Sequence, residues 1–251
     1  MHSGNIHIRF ENVTVGYGDR IVQRDLDFSI NRGEIFAIMG PSGCGKSTLM
    51  RSAIGLLEPM QGRILYDGES FWDVDLERRN VLMRSFGVTY QGGALWSSMT
   101  LAENIALPLT EFLDLTGREA RDIASLKLAL VGLAGFEDYY PSEISGGMRK
   151  RASLARAMAL DPGTLFLDEP SAGLDPISSR LLDELIVHLR DSLGTTIVIV
   201  SHELFSILNI CDNSVFLDTE TSTMLATGKP ALLKERSDHP HVRQFLRREA
   251  P

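Results

Sequence analysis

Cysteine is scarce: the chain of 251 residues holds 2, Cys44 and Cys211. They cannot build a disulfide framework, and neither stands at a metal-ligand spacing, so a reducing compartment is the default expectation. No apolar run approaches the ~18 residues of a membrane span. Met1 to Ile6 carries no apolar stretch of the kind a secretory signal needs. Excess positive charge is also missing, with a formal net charge of -8 and an isoelectric point near 5.3. That removes any global attraction for nucleic acid or an anionic membrane surface. Repeats and low-complexity segments are absent. What remains is ordinary globular usage, 43% hydrophobic and 23% charged, in a chain long enough for a sizeable core and one or two domains. A membrane role would have to run through a partner.

Against that plain background one stretch stands out. Gly40, Pro41, Ser42, Gly43, Cys44, Gly45, Lys46, Ser47 and Thr48 follow the apolar run Ile35–Met39 and precede the apolar segment Leu49–Leu57. A buried strand, a glycine-rich loop, Lys-Ser and a helix are the context a P-loop requires. Glycines let backbone N–H groups converge into an anion nest, and the helix N-terminus adds partial positive charge. Lys46 then supplies a full charge to the β- and γ-phosphates of a nucleotide, and the Ser47 hydroxyl can ligate Mg2+. Cys44, beside Lys46 and a helix start, is expected to favour thiolate. The competing reading makes it a small loop filler.

Around this loop the patterns sort into layers. Residues 6–15 and Val22–Ile30 alternate as half-exposed strands, with Gly16–Asp19 and Asn31–Glu34 as turns, and 62–68 adds a strand closed by Asp67-Gly68. These read as an antiparallel layer beside the P-loop. Thr100-Leu101-Ala102-Glu103 is a capping box whose helix Pro108 is expected to end. Helical patterns continue over Glu119–Val131 and from Ser145 towards Pro162, so residues 96–160 read as a helical insert. Strands return at Thr164–Asp168, Thr196–Val200 and Ser214–Leu217, the first two separated by a helix over Ile177–Leu193 in a parallel βαβ arrangement.

The second half of the site follows from these strands. Leu165–Asp168 is apolar and runs into paired acids, Asp168 and Glu169. In a P-loop enzyme the first acid holds Mg2+, largely through water, and the second can polarise the attacking water. Ser145-Gly146-Gly147 opens a helix whose free N–H groups form a second anion site, or merely an N-cap with a glycine turn. Gln91 follows the strand-like Phe86–Tyr90, and His202 follows Ser201 after the strand ending at Val200; alone, each is more simply a structural residue. The basic cluster Arg149-Lys150-Arg151 reads as a solvated helix face rather than a nucleic-acid patch.

Taken in order, the P-loop, Gln91, Ile144–Met148, Leu165–Glu169, Ala172–Asp175 and Ser201-His202 resemble an ABC transporter nucleotide-binding subunit over about residues 6–228. The resemblance implies an α/β fold: a P-loop (RecA-like) core, an antiparallel β layer and an α-helical insert. It implies a homodimer with ATP sandwiched between the P-loop of one subunit and Ser145, Gly146 and Gly147 of the other. Tyr17 falls where the family stacks an aromatic on adenine. Gln91 matches the residue that senses Mg2+ and the membrane partner, Glu169 the general base, His202 the switch histidine, and Asp175 the loop crossing between subunits. Met148 departs from the usual Gln, cannot donate a hydrogen bond, and leaves the glycines to carry the anion site.

Ser-Gly-Gly-Met, the run from Gln91 to Trp96 and the tail from His241 to Leu246 resemble the ATPases of Mla and Mce lipid transport. That implies an integral permease, a small accessory subunit and an Mce-domain lipid-binding protein as partners, at the cytoplasmic face of the inner membrane. Other readings stay open: an ABC ATPase for amino acids, metals or another small solute; a soluble ABC ATPase of translation or repair; a non-hydrolysing subunit, against which Glu169 and His202 argue. Residues 229–251 read as a C-terminal extension with two short helices. Val242, Phe245 and Leu246 share one apolar face, which packs either on the chain's own cassette or on a neighbouring subunit.

Overall fold

The computed structural model describes residues 6–249. The chain opens with long strands β1 (Ile6–Tyr17) and β2 (Arg20–Asn31), then β3 (Ile35–Met39), the P-loop and α1 (Lys46–Ala53). β4 (Gln61–Tyr66), β5 (Glu69–Ser70), α2 (Leu76–Arg84) and β6 (Phe86–Thr89) follow. The helices α3 (Leu101–Phe112), α4 (Gly117–Leu130) and α5 (Gly146–Ala157) come next. The chain then returns through β7 (Thr164–Asp168), α6 (Pro176–Leu193), β8 (Thr196–Val200), α7 (Leu204–Ile210), β9 (Asn213–Leu217) and β10 (Met224–Thr227). It ends on α8 (Pro230–Arg236) and α9 (Pro240–Arg247). Met1 to Asn5, where the absence of a signal was read, lie outside the described residues.

Two sheets result. One is antiparallel, β2-β1-β4-β5; the other runs β10-β9-β3-β8-β7-β6, parallel except for β10. The side-chain period of 2 sends each central strand into separate cores. Phe36 and Ile38 of β3, Phe166 of β7, and Val198 and Val200 of β8 face the antiparallel sheet. Ile35, Ala37, Met39, Leu165, Leu167, Ile197 and Ile199 face α5, α6 and α7. Both faces are covered, which is why these strands read as unbroken apolar runs. A third core, from Leu101 to Ala159, sits among α3, α4 and α5.

Pro108 does not end α3, which runs on to Phe112. A proline inside a helix costs ~3 kcal/mol. The helix continues because Leu101, Ile105 and Leu109 are buried on one face, each contributing about 1.5–3 kcal/mol. The helix that starts at Leu49 in the sequence reading starts at Lys46 and stops at Ala53, and β1 extends through Tyr17 before turning. The helix α2 has no apolar periodicity to announce it. Asp75 caps it by accepting from the Arg78 N–H, and Leu82 is its one buried residue.

The tail packs on its own cassette. Val242 and Leu246 are fully buried, and Phe245 meets Phe216 of β9 edge-on at 5.2 Å. His241 Nδ1 stands 3.6 Å from Asp218 Oδ1.

Asp183 of α6 is buried and accepts a 2.8 Å hydrogen bond from Ser206 Oγ of α7. Burial pushes its carboxyl up to about 6, against the pull of Ser206, with Glu184 adding to the rise. The folded chain therefore holds this proton more tightly than the unfolded one, whose value is about 3.9. Stability falls as pH rises from about 4 to 6, and the cost persists above. Asp183→Asn keeps the acceptor and removes the charge. It should raise Tm at pH 7.5 and leave it unchanged near pH 4; an equal shift at both pH values would refute the argument.

Candidate nucleotide site

Adjacent parallel strands end on one edge of a sheet, so the loops that follow them must meet. Here β6, β7, β8 and β3 are neighbours in that order. Gln91, Asp168-Glu169, Ser201-His202 and the P-loop follow them in the same order. A cavity of about 460 Å³ opens at this edge. It is lined by Tyr17, Arg20, Val22, Ser42, Gly43, Gly45, Lys46, Ser47, Thr48, Gln91, Asp168, Glu169 and His202.

The loop needs glycine for close approach as well as for its amides. A Cβ on Gly40 would lie 2.2 Å from the Leu217 carbonyl oxygen, and one on Gly45 (φ +101°) 2.6 Å from Val22 Cγ1. Lys46 is buried, and its Nζ donates to the carbonyls of Gly40 (2.9 Å) and Pro41 (3.0 Å). Its acceptors here are neutral, so the full charge is available to an anion at the helix start. Behind the loop, fully buried Gln23 donates from Nε2 to the carbonyls of Cys44 and Asp218, both at 2.7 Å. The sequence reading missed Gln23, because a lone glutamine in an alternating strand carries no signal.

Cys44 corrects an expectation. Its side chain turns into the core between the sheets and does not line the cavity. Burial pushes the thiol above the ordinary cysteine range, outweighing the pull of Lys46. It is a small core filler, not a poised thiolate. Gly40 and Pro41 likewise stay behind the cavity wall, with Pro41 accepting from the Cys44 N–H at 3.3 Å.

The acids differ in their partners. Glu169 is buried, with φ +48°. Its Oε2 accepts from Ser201 Oγ at 3.1 Å, and its Oε1 lies 2.6 Å from His202 Nδ1. Ser201, named in the sequence only as His202's neighbour, thus fixes one carboxylate oxygen. Asp168 carries a buried Oδ1 with no partner among the described residues. Burial, and then the neighbouring Glu169, push its carboxyl upward, while Arg51, Lys46 and Lys150 pull it down. An orphaned carboxylate oxygen with a raised pKa is the donor a hard cation would satisfy, so the residues fit Mg2+. Among the described residues, no group of three or more His, Cys, Asp or Glu could hold a metal unaided, so nucleotide phosphates would have to complete the shell. Tyr17 stays half-exposed at the mouth; the Thr48 hydroxyl and then Arg51 hold its phenol below the usual range.

The remaining candidates lie outside this cavity. Ser145 caps α5 by accepting from the Met148 N–H at 3.2 Å, leaving exposed Gly146 at the helix start. Met148 packs against the helical core. Asp175 caps α6, accepting from the N–H groups of Ile177 and Ser178 and from Ser178 Oγ. The basic cluster lies on a face open to solvent, with Arg149 exposed and Lys150 and Arg151 half-buried, and all three also donate to backbone carbonyls.

The fold and cavity define a P-loop nucleotide-binding protein. The ABC transporter family model matches residues 23–172. The chain is 41% identical over 241 residues to the "Probable ribonucleotide transport ATP-binding protein mkl" of Mycobacterium tuberculosis H37Rv, spanning 96% of this chain and 66% of that protein. It is 38% identical over 239 residues to the intermembrane phospholipid transport system ATP-binding protein MlaF of Escherichia coli K12, spanning 95% of this chain and 88% of that one. Among solved structures, the post-hydrolysis dimer of the ATP-binding cassette MJ0796 with ADP and Pi superposes with a TM-score of 0.79 at 28% identity, over 88% of this chain and 98% of that one. The structure of cbiO1 from Clostridium perfringens, part of the ABC transporter complex cbiONQ, gives 0.82 at 29%, over 90% of this chain and 89% of that one. This chain belongs to the ABC transporter family, and it is an ATP-binding, ATP-hydrolysing cassette. Among the described residues no helix is long and apolar enough to cross a membrane.

Proposed function

We propose that the chain is the energy-coupling ATPase of an Mla-type phospholipid transporter. The observation that carries the substrate class is the 38% identity to MlaF across 95% of this chain. In this reading residues 6–228 are the ATPase domain, with 96–160 as its helical subdomain and 229–251 as a C-terminal extension. Two copies pair head to tail; that the MJ0796 cassette is a dimer supports the pairing. Lys46 and the P-loop amides hold the β- and γ-phosphates, and Tyr17 stacks on adenine. Ser145, Gly146 and Gly147 reach the nucleotide of the partner copy, and Asp175 lines the crossing loop. Ser47, Gln91 and Asp168 would hold Mg2+, which when bound neutralises charge on the phosphate oxygens. Glu169 accepts the proton of the attacking water, and His202 steadies Glu169 and meets the γ-phosphate.

The membrane partner has a groove to occupy. A cavity of about 600 Å³ runs between α2, β6, α3 and α5, lined by apolar Val88, Leu107, Pro108 and Phe112 and rimmed by Arg84 and Arg156. A helix of the integral permease fits this composition and would place the chain at the cytoplasmic face of the inner membrane. The second reading, a transporter of another solute, draws on the name of the mycobacterial relative, of which this chain spans 66%. Affinity purification from detergent-solubilised membranes decides between them. The first reading expects an integral permease, an Mce-domain protein and bound phospholipid. A permease with a soluble solute-binding protein and no enriched phospholipid would replace it with the second.

A further inference from the structure

One face of α5 is devoted to the loop that carries Gln91. Lys150 Nζ donates to the Gln91 carbonyl at 2.7 Å, Ser153 Oγ to the Gly93 carbonyl at 2.6 Å, and Arg156 Nη1 to the Ala94 carbonyl. Positions three apart on a helix are neighbours on its surface, so these donors form a row that meets the carbonyls of Gln91, Gly93 and Ala94 in turn. The loop they hold is irregular, with Gly93 and Ala94 both at positive φ. Welded this way, the Gln91 loop and the helix that begins at Ser145-Gly146-Gly147 are one mechanical body.

Lys150 alone of the three also reaches the reacting centre. The same Nζ donates to the Glu169 carbonyl at 3.1 Å. Glu169 holds a left-handed backbone, φ +48°, a conformation that is strained in a residue with a side chain. Its N–H donates to the Val200 carbonyl at 2.8 Å, and its carbonyl also accepts from Ala172 N–H at 3.2 Å. Lys150 is thus a contact from the helical subdomain onto the backbone that aims the Glu169 carboxylate. The lysine is half-buried beside Tyr90, Leu154 and Leu167, so its bond to the Glu169 carbonyl is partly shielded from water.

We infer that Lys150 is a positioning residue for ATP hydrolysis: it ties the Gln91 loop, the signature helix and the Glu169 backbone to one point, so that the base is aligned only when loop and helix are in register. This rests on the assignment of Glu169 as base. Misplacing a reacting group costs rate rather than ground-state affinity. The ammonium does not line the nucleotide cavity, so its loss should leave ATP binding intact.

The test uses the full chain purified with its membrane partner, comparing Lys150→Met, Lys150→Arg and Glu169→Gln. Lys150→Met should lower kcat about tenfold or more while KM and the equilibrium Kd for ATP stay within about twofold. Lys150→Arg, whose fork can still donate to two carbonyls, should restore kcat to within about threefold. A wild-type kcat in Lys150→Met, a Kd loss that matches the kcat loss, or an equal defect in Lys150→Arg overturns the inference. Glu169→Gln separates the readings: if it turns over normally, the base assignment has failed; if it is inactive while Lys150→Met is normal, only the positioning role has. Tm of each variant identifies a general folding defect, which would also count against a specific role.

Discussion

Glu169→Gln is expected to bind ATP with wild-type affinity and to hydrolyse it about 10²–10⁴-fold more slowly. The carboxylate is buried and aimed by Ser201 Oγ and His202 Nδ1 on separate oxygens. An amide of the same shape keeps the packing and removes the proton acceptor. The phosphate-binding groups, Lys46 and the loop amides, are untouched, so nucleotide affinity should not fall. With hydrolysis blocked, ATP should hold two copies together, visible as a dimer by size-exclusion chromatography. Turnover and equilibrium binding on the same preparation check the claim. Hydrolysis at the wild-type rate would remove Glu169 from the role of base.

Lys46→Ala should fail differently, at the binding step. The Lys46 ammonium is buried at the start of α1 and, among the described residues, donates only to the Gly40 and Pro41 carbonyls. Charge-assisted hydrogen bonds contribute about 1.5–3 kcal/mol each, so the Kd for ATP should rise by roughly one to two decades. Phosphates would still find the helix N-terminus and loop amides, so binding should weaken rather than vanish. Titration calorimetry distinguishes the outcomes: an unchanged Kd with lost turnover would make Lys46 a transition-state group and not an anchor.

Together these substitutions separate the proposed functions of two loops at the same sheet edge. The P-loop follows β3 and Glu169 follows β7, with β8 between them in the sheet. In the proposed mechanism the base would be carried by the strand next but one from the phosphate anchor, and the intervening strand supplies Ser201 and His202, which meet the Glu169 carboxylate. The alternation Lys46, His202, Glu169 across the edge is a consequence of strand order, which the chain sequence scrambles.

Local chemistry was legible from the residues. A glycine-rich loop after an apolar strand, paired acids after another and Ser-Gly-Gly at a helix start each have a short-range physical reason. The strands β3, β7 and β8 were equally plain, because burial on both faces demands apolar residues at every position. The capping box at Thr100 and Glu103 was readable for the same reason, since both partners lie within one turn. Elements without such a signature were lost: α2, whose one buried residue leaves no periodicity, and the two-residue strand β5.

What only the tertiary structure decided were choices between equally good local options. Pro108 is a helix breaker by its ring, yet α3 passes through it because the buried face of that helix outweighs one missing bond. Cys44 stands beside a cation and a helix start, yet its side chain falls on the core side of the loop, where desolvation wins. Arg149, Lys150 and Arg151 stay on a solvated face, and the carbonyl each one meets there is set by packing. The apolar face of α9 could have gone to a neighbour or to the chain's own cassette, and it is the latter that receives Val242 and Leu246. In each case the deciding partner lies far away in the chain or around a turn. Sequence therefore settled which groups are present and which local conformations they favour. Strand order and packing settled which of those groups face one another, because contact free energies depend on neighbours that no local window contains.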